Sequence, residues 1–140
     1  MIREVDDPAI INGFANHPDI GPSISPGGKP LDLSAGVGPP NVFLFGEHGG
    51  ICWVWSAPRT YEAHVMLTAA GRGRWGVAVG RESIARMRDK GARLLWARVH
   101  PERPEIGIYA ALCGMSDTNE THLLDIGEGP VAWRLFEWRA

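Results

Sequence analysis

The chain has 140 residues and a formal net charge of -2 at pH 7. A chain of this length is expected to form one domain, residues 1–140, with a hydrophobic core of its own. The small acidic excess gives no electrostatic basis for binding nucleic acid or an anionic membrane, so neither partner is predicted.

The cysteines and the N-terminal residues indicate the compartment. Cys52 and Cys113 lie within apolar stretches and are predicted to be buried free thiols in a reducing environment. The first residues, MIREVDDPAI, carry carboxylates, and no uncharged apolar stretch approaches the roughly 18 residues of a membrane-spanning helix. A cytoplasmic location is therefore expected. The histidines and cysteines form no closely spaced ligand pair, so no metal site is predicted.

The first 40 residues predict a short strand, a helix and a long loop. Residues 1–5 have the pattern of a strand. Asp6 or Asp7 is a candidate N-cap, with Pro8 in the first turn of a helix that continues over residues 9–16. Residues 17–40 are rich in glycine, proline and serine. Loops this long are usually functional lids or poorly ordered segments.

The middle of the chain predicts three strands and a helix. Two apolar stretches flank GEHGG in residues 41–58, which is typical of a β-hairpin, and residues 61–68 add a third antiparallel strand. The segment AAGRGRWG, residues 69–76, ends that strand. A helix is predicted over residues 77–90 with an apolar stripe on one side. The stripe consists of Val77, Ile84 and Met87, with Ala78, Ala85 and Val79 beside them.

The last third predicts a strand, a helix and a hairpin. RLLWARVH, residues 93–100, has the composition of a buried strand, and a helix is predicted over residues 104–113, ended by Gly114. The strands ETHLLDIG and VAWRLFEW are separated by EGP, a hairpin signal. The whole order, β-α-loop-β-β-β-α-β-α-β-β, predicts a mixed α/β (α+β) fold. Its sheet is mostly antiparallel, with one right-handed parallel crossover between residues 61 and 99.

The AAGRGRWG segment has the chemistry of a phosphate site. Amides at the start of a helix are unpaired and lie at the positive end of its dipole. Gly71, Gly73 and Gly76 allow a tight turn, and Arg72 and Arg74 add charge-assisted contacts. One interpretation is a pyrophosphate-binding loop; the other is a plain solvated turn. The glycines satisfy G-x-G-x-x-G, but the strand before them is the third of a meander, which disfavours a Rossmann fold.

The element order and this loop together resemble the GNAT superfamily of N-acetyltransferases, most closely over residues 61–115. That family has a Q/R-x-x-G-x-G/A loop between strand and helix. The resemblance implies a GNAT-like acyl-CoA N-acyltransferase fold, with helices flanking a central sheet, and acetyl-CoA as co-substrate. The implied cofactor-binding residues are two strand positions, through their backbone, and the loop: Met66, Leu67, Gly71, Arg72, Gly73, Arg74, Trp75 and Gly76.

The chain departs from the family pattern in the loop and in the second helix, which opens with Arg103-Pro104 where the family usually has Asn. With Arg72 at the first motif position, Trp75 and Val77 stand where glycine and glycine or alanine are expected. An indole folded into the core would leave the loop amides free, whereas one lying over them would exclude the cofactor. The family's frequent tyrosine lies four residues before the helix-ending glycine. Tyr109 lies five before it and Ala110 takes the matching place, a rotation of about 100° on a helix.

Three side chains are candidates for the chemistry. Acetyl transfer to an amine needs a base for the amine proton and an acid for the leaving thiolate. Glu62 and His64 share a strand face by alternation, so both are expected to point into the cleft, and either is a candidate base, directly or through water. The alternative is that one faces solvent and His64 is a core residue. Tyr109 is the candidate acid, or else a packing residue.

Two functions are carried forward. The first is an acetyl-CoA-dependent N-acetyltransferase in which a small-molecule or protein amine attacks directly in a ternary complex, with residues 17–40 shaping the acceptor site. The second is a noncatalytic GNAT-like structural or assembly protein. It follows from the GRGRW-type loop, because versions of this fold with such a loop are similar to acetyltransferase-like proteins of tailed phages and prophages. That function would imply association with a virion and with phage structural proteins. Exposed sheet edges also allow a homodimer.

Overall fold

The computed structural model describes residues 1–25, 27–127 and 129–140. Within these ranges seven strands form one sheet in the order β1-β2-β3-β4-β5-β7-β6. The strands are β1 (Arg3–Glu4), β2 (Val42–Gly46), β3 (Gly49–Ala57), β4 (Thr60–Leu67), β5 (Leu94–Val99), β6 (Ser116–Asp125) and β7 (Pro130–Arg139). The helices are α1 (Pro8–Ala15), α2 (Gly21–Ile24), α3 (Arg74–Asp89) and α4 (Pro104–Cys113).

The predicted mixed α/β fold is confirmed. Strand β4 pairs parallel with β5, and the other described pairings are antiparallel. The hairpins β2–β3 and β6–β7 form as predicted, although Glu128 of the EGP turn lies outside the described residues. Asp7 is the N-cap of α1 and accepts a hydrogen bond from the Ala9 amide at 2.9 Å, with Pro8 in the first turn. Helix α4 has the predicted bounds.

Residues 17–40 contain more structure than the predicted loop. They include α2 and a 3₁₀ turn at Ser34–Gly36. The side chains of Asn12 in α1 and of Asn16, the C-cap of α1, make hydrogen bonds that contribute to this order. The Asn16 Oδ1 accepts from the Leu31 amide and the Asn12 Oδ1 accepts from the Leu33 amide, each at 2.7 Å. Residues 31–33 are therefore held against the C-terminal part of α1.

Helix α3 begins three residues before the predicted start. Arg74, Trp75 and Gly76 form its first turn, because Gly73, at φ +88°, turns the chain into the helix axis. The predicted apolar stripe is found in part: Val79, Ile84 and Met87 are buried, whereas Val77 is only half-buried and Ala78 is exposed.

Helices and loops cover the sheet on two faces. Helices α3 and α4 pack over Ile51, Trp53 and Leu95 on one face. Helix α1 and residues 31–37 pack over the other face, where the buried strand residues are Phe43, Phe45, Cys52 and Met66. Cys52 and Cys113 are buried free thiols, as predicted. Among the described residues no helix is long and apolar enough to span a bilayer.

Candidate functional site

Strands β4 and β5 separate after a short paired stretch. Thr60, Tyr61 and Glu62 are in register with residues 94–96, and the pairing ends there. Beyond this point β4 continues against β3, and β5 continues against β7. In the described part of the chain the edge of β4 over residues 63–67 therefore lacks a strand partner on its β5 side. Its backbone groups on that edge are available to a ligand.

A cavity of about 550 Å³ lies at this gap, on the face covered by α3 and α4. Its volume falls in the usual range for small-molecule sites. The lining is mostly apolar and comes from β3, β4, β5, α3 and α4, and includes Trp53, Ala63, Val65, Leu67, Ala97 and Val99. Met66 points the other way, because its side chain is buried against α1. Of the two implied strand positions, only Leu67 contributes its side chain to the cavity.

The N-terminus of α3 opens onto the same cavity. Gly73 and Gly76 line it, and no side chain caps the helix. The first amides of α3 therefore have no intrahelical acceptor and lie at the positive end of a 16-residue helix. A Cβ at Gly76 would lie 2.5 Å from the Gly71 carbonyl oxygen. Glycine at this position allows the loop and the first helical turn to approach this closely.

Trp75 does not cover these amides. Its indole packs edge-on against His48, with ring centroids 5.0 Å apart, and its Cζ2 lies beside Gly46 at the β2–β3 turn. Trp75 is not among the described residues that line the cavity. Of the two arrangements considered for this side chain, the molecule adopts the one that leaves the helix start open.

The two loop arginines have different surroundings. The Arg72 Nη2 donates to the Asp19 carbonyl oxygen at 2.9 Å, and the Asp19 Oδ2 accepts from the Ala69 amide at 2.8 Å. These contacts, the Asp19 link, join residues 17–40 to the loop. Arg74 is exposed and forms no ion pair within the described part of the chain. Arg74 is therefore free to meet an anion, whereas Arg72 already holds a protein oxygen.

Glu62, His64 and Arg98 form a cluster beside the gap. The Arg98 Nε and Nη2 lie 3.0 and 2.8 Å from the Glu62 Oε2. The other carboxylate oxygen, Oε1, lies 3.2 Å from the His64 Nε2. Burial alone would raise the pKa of Glu62, but the hydrogen bonds and charges of His64 and Arg98 together outweigh it, and the pKa is lowered.

The cluster lies on the face of the sheet opposite the cavity. Ala63 and Val65 line the cavity, and alternation along β4 directs Glu62 and His64 to the other side. The expectation that both side chains point into the cleft is therefore wrong. They lie on the opposite face of the sheet, beside the gap. The sequence interpretation also missed Arg98. Alternation places Arg98 on the face of Trp96, but its contact with Glu62 depends on the parallel register of β4 and β5.

Tyr109 lies in the cavity wall next to α3. Its hydroxyl donates to the Gly76 carbonyl oxygen at 2.7 Å. Burial raises the pKa of Tyr109, and the nearby Cys113 acts in the same direction, so the phenol keeps its proton at neutral pH. Ala110 also lines the cavity, and both positions therefore face the same space. The described residues contain no cluster of three metal-ligating side chains.

Comparison with known proteins identifies the fold. No protein-family model and no curated protein sequence matches this chain. Solved structures do match over nearly the whole chain. A GNAT-family acetyltransferase from Streptococcus pneumoniae superposes with a TM-score of 0.76 at 14% identity, covering 100% of this chain and 99% of the other. A candidate acetyltransferase from Salmonella typhimurium, solved with its cofactor acetyl-CoA, gives 0.75 at 16% identity, covering 99% and 92%.

A third solved structure also matches over nearly the whole chain. Spermidine N-acetyltransferase from Vibrio cholerae, as an F149A mutant, gives a TM-score of 0.74 at 10% identity, covering 99% of this chain and 94% of the other. At these identities the likeness concerns the fold. The chain has the fold of the GNAT acetyltransferases, as its element order and loop predict.

Proposed function

We propose that this chain is an acetyl-CoA-dependent N-acetyltransferase that acts on the amine of a small molecule. The observation that carries the proposal is the convergence of three features on one cavity. These are the gap between β4 and β5, the uncapped start of α3 and a mostly apolar lining. A donor with an anionic end and a narrow, extended arm fits this combination.

The donor end of the site consists of the loop and the edge of β4. The amides of Gly73, Arg74, Trp75 and Gly76 would hold a pyrophosphate, with Arg74 adding a charge-assisted contact. The edge of β4 near Met66 and Leu67 would bind the extended arm through backbone groups. Packing of Trp75 against His48 supports the fit, because it leaves those amides unobstructed. Acetyl-CoA, when bound, supplies the acetyl group as an activated thioester.

The acceptor would approach from the opposite face, where Glu62 and His64 stand at the gap. Transfer forms one C–N bond and breaks one C–S bond; the amine loses a proton and the thiolate gains one. The Glu62–His64 pair would take the amine proton. Tyr109, in the cavity wall, would supply the other after its hydroxyl turns from the Gly76 carbonyl, and would then regain a proton from solvent. Residues 31–37, which pack over that opposite face, would form part of the acceptor wall, whereas Asp19, Ile20 and Ser23 line the cavity beside the donor loop.

Calorimetric titration with acetyl-CoA tests the proposal. We expect a micromolar dissociation constant that weakens with added salt. Arg74→Ala should weaken binding by at least about 10-fold, the equivalent of about 1.5 kcal/mol, which is the lower end for a hydrogen bond to a charged group because Arg74 is exposed. The matched control is Arg88→Ala at the other end of α3, where the guanidinium is exposed and pairs with Asp89. That variant should bind as tightly as the wild type.

If millimolar acetyl-CoA neither binds nor raises the thermal stability of the chain, the proposed acetyltransferase function is refuted. The chain would then keep the fold as a noncatalytic structural or assembly protein, and a protein partner, including phage structural proteins or a second copy, would be the next subject of search. No contact among the described residues favours that alternative over the acetyltransferase.

A further inference from the structure

We propose that the base is His64, acting through its Nδ1 atom, and that Glu62 and Arg98 are positioning residues that act through His64. The inference rests on the proposed acetyl transfer and decides between the two β4 side chains that are candidates for its base. It also assigns a role to Arg98, which lies on a different strand.

Glu62 is already occupied on both oxygens. Its Oε2 accepts from two nitrogens of Arg98, and its Oε1 lies within hydrogen-bond distance of the His64 Nε2. The side chain is only 13% exposed. A carboxylate whose ionised form is stabilised in this way binds a further proton poorly, because protonation would break a charge-assisted bond. Glu62 is therefore badly placed to remove a proton from an acceptor by itself.

His64 has the opposite properties. The Glu62 carboxylate 3.2 Å from Nε2 favours the neutral tautomer with its proton on Nε2, which leaves the free lone pair on Nδ1. The side chain is 53% exposed, so an acceptor can approach it. His64 is the second residue beyond the last paired position of β4, and its neighbours Ala63 and Val65 line the cavity. The imidazole thus stands where an acceptor on one face meets a donor on the other.

Two contacts hold the Arg98 guanidinium, one with the Trp96 ring and one with the Glu62 carboxylate. Its guanidinium carbon lies 5.2 Å from the centroid of the Trp96 ring, and the Trp96 Nε1 donates to the Ser56 Oγ at 3.0 Å. From β5 the guanidinium reaches across the start of the gap to Glu62 on β4. Arg98 therefore fixes the carboxylate, and the carboxylate fixes the proton on the Nε2 of His64.

The proton balance is simple. One proton passes from the acceptor ammonium to Nδ1, which produces an imidazolium that Glu62 stabilises at Nε2. The neutral amine keeps the electron pair that forms the new C–N bond. As the C–S bond breaks, the nitrogen loses its second proton to solvent and the leaving thiolate takes one from Tyr109. The imidazolium later returns its proton to solvent, and no oxidation or reduction occurs.

A double-mutant cycle on acetyl transfer tests this order of action. His64→Gln should lower kcat by roughly 10²–10⁴-fold, the usual contribution of a general base, with little change in the KM for acetyl-CoA. Glu62→Gln should cost less, roughly 10-fold, and the double variant should be no slower than His64→Gln alone, since Glu62 acts through His64. Thermal unfolding of each variant confirms that it is folded.

Two variants of Arg98 test its role as a positioning residue. Arg98→Gln should lower kcat to about the level of Glu62→Gln, and Arg98→Lys should recover part of the loss because it keeps the charge without the two-nitrogen geometry. The matched control is Arg134→Gln, which removes an ion pair with Asp117 elsewhere on the same sheet. That variant should leave kcat unchanged.

Two results would overturn the assignment. If Glu62→Gln is as severe as His64→Gln, or if their losses multiply in the double variant, Glu62 acts independently as the base. Without any donor present, the ¹⁵N spectrum of neutral His64 should show Nε2 protonated and Nδ1 unprotonated; the reverse would refute the geometry. If acetyl-CoA does not bind at all, the proposed function fails, whereas the ¹⁵N result still decides whether His64 is arranged as described.

Discussion

Gly80 of α3 packs directly against α4, and substituting it gives a sharp test of the structure. A Cβ added at Gly80 would lie 2.2 Å from the Cys113 Sγ and 3.0 Å from the Tyr109 hydroxyl oxygen. Ordinary contacts between heavy atoms of this kind are about 3.5 Å or longer, so the overlap exceeds about 1 Å. Gly80→Ala must therefore displace the thiol or separate the two helices that enclose the cavity.

The size of the effect follows from a second helical glycine. Gly13 in α1 has open space around the position of a Cβ. Alanine at either site gains the same intrinsic helix preference, about 1 kcal/mol. The difference between the two variants therefore isolates the overlap, for which overpacking costs of about 1–3 kcal/mol are usual. For a chain of this length that is about 3 °C in Tm per kcal/mol.

Urea and thermal unfolding of the two variants measure this difference. We expect Gly13→Ala to unfold at a higher temperature than the wild type and Gly80→Ala to unfold below Gly13→Ala by at least about 3 °C. Combining Gly80→Ala with Cys113→Ala should recover most of the loss, because the nearest atom is then removed. Equal stability of the two glycine variants, or a loss that persists without the thiol, would refute the reasoning.

Three further predictions concern buried and charged groups. Ser83→Ala should destabilise the fold by about 1–3 kcal/mol, because it leaves the buried Trp53 indole N–H without its acceptor at 2.6 Å, whereas Ser56→Ala, at the exposed bond to Trp96, should cost less in the same unfolding assay. Because the pKa of Glu62 is lowered in the fold, its ionised form adds stability that is lost as the pH falls below its ordinary value of 4.5; Tm measured against pH should fall less steeply in that range for Glu62→Gln. Burial raises the pKa of both the Cys52 and the Cys113 thiols, so both should react slowly with a thiol reagent in the native protein and fast in denaturant; rapid labelling of the native chain would contradict their placement.

Local signals in the sequence predict most of the fold. The two hairpins follow from glycine- and proline-rich turns between apolar stretches, and the bounds of α4 follow from Pro104 and Gly114. The start of α3 was predicted three residues late because Gly76 in the first turn resembles loop composition, and its role depends on contact with the Gly71 carbonyl. The sequence does not predict the order of residues 31–33 because it derives from the side chains of Asn12 and Asn16, more than ten residues away.

The candidate site, like the fold, is predicted only in part by the sequence. The loop glycines and arginines are visible as a pattern, since their chemistry is local. The direction of the Trp75 indole is not, because it depends on His48 in a distant hairpin turn. The contact of Arg98 with Glu62 spans 36 positions and requires the parallel register across the crossover. Contacts across the gap between β4 and β5 can therefore be identified only from the structure.

The Asp19 link has a consequence for the order in which two substrates bind. A guanidinium carries five N–H donors, and Arg72 gives at least one of them to the Asp19 carbonyl while the others remain for an anion. Under the proposed function, the phosphate held beside Arg74 would lie next to this link between the loop and residues 17–25. We therefore expect donor binding to order that segment before an acceptor arrives, so that the donor binds first and the acceptor second.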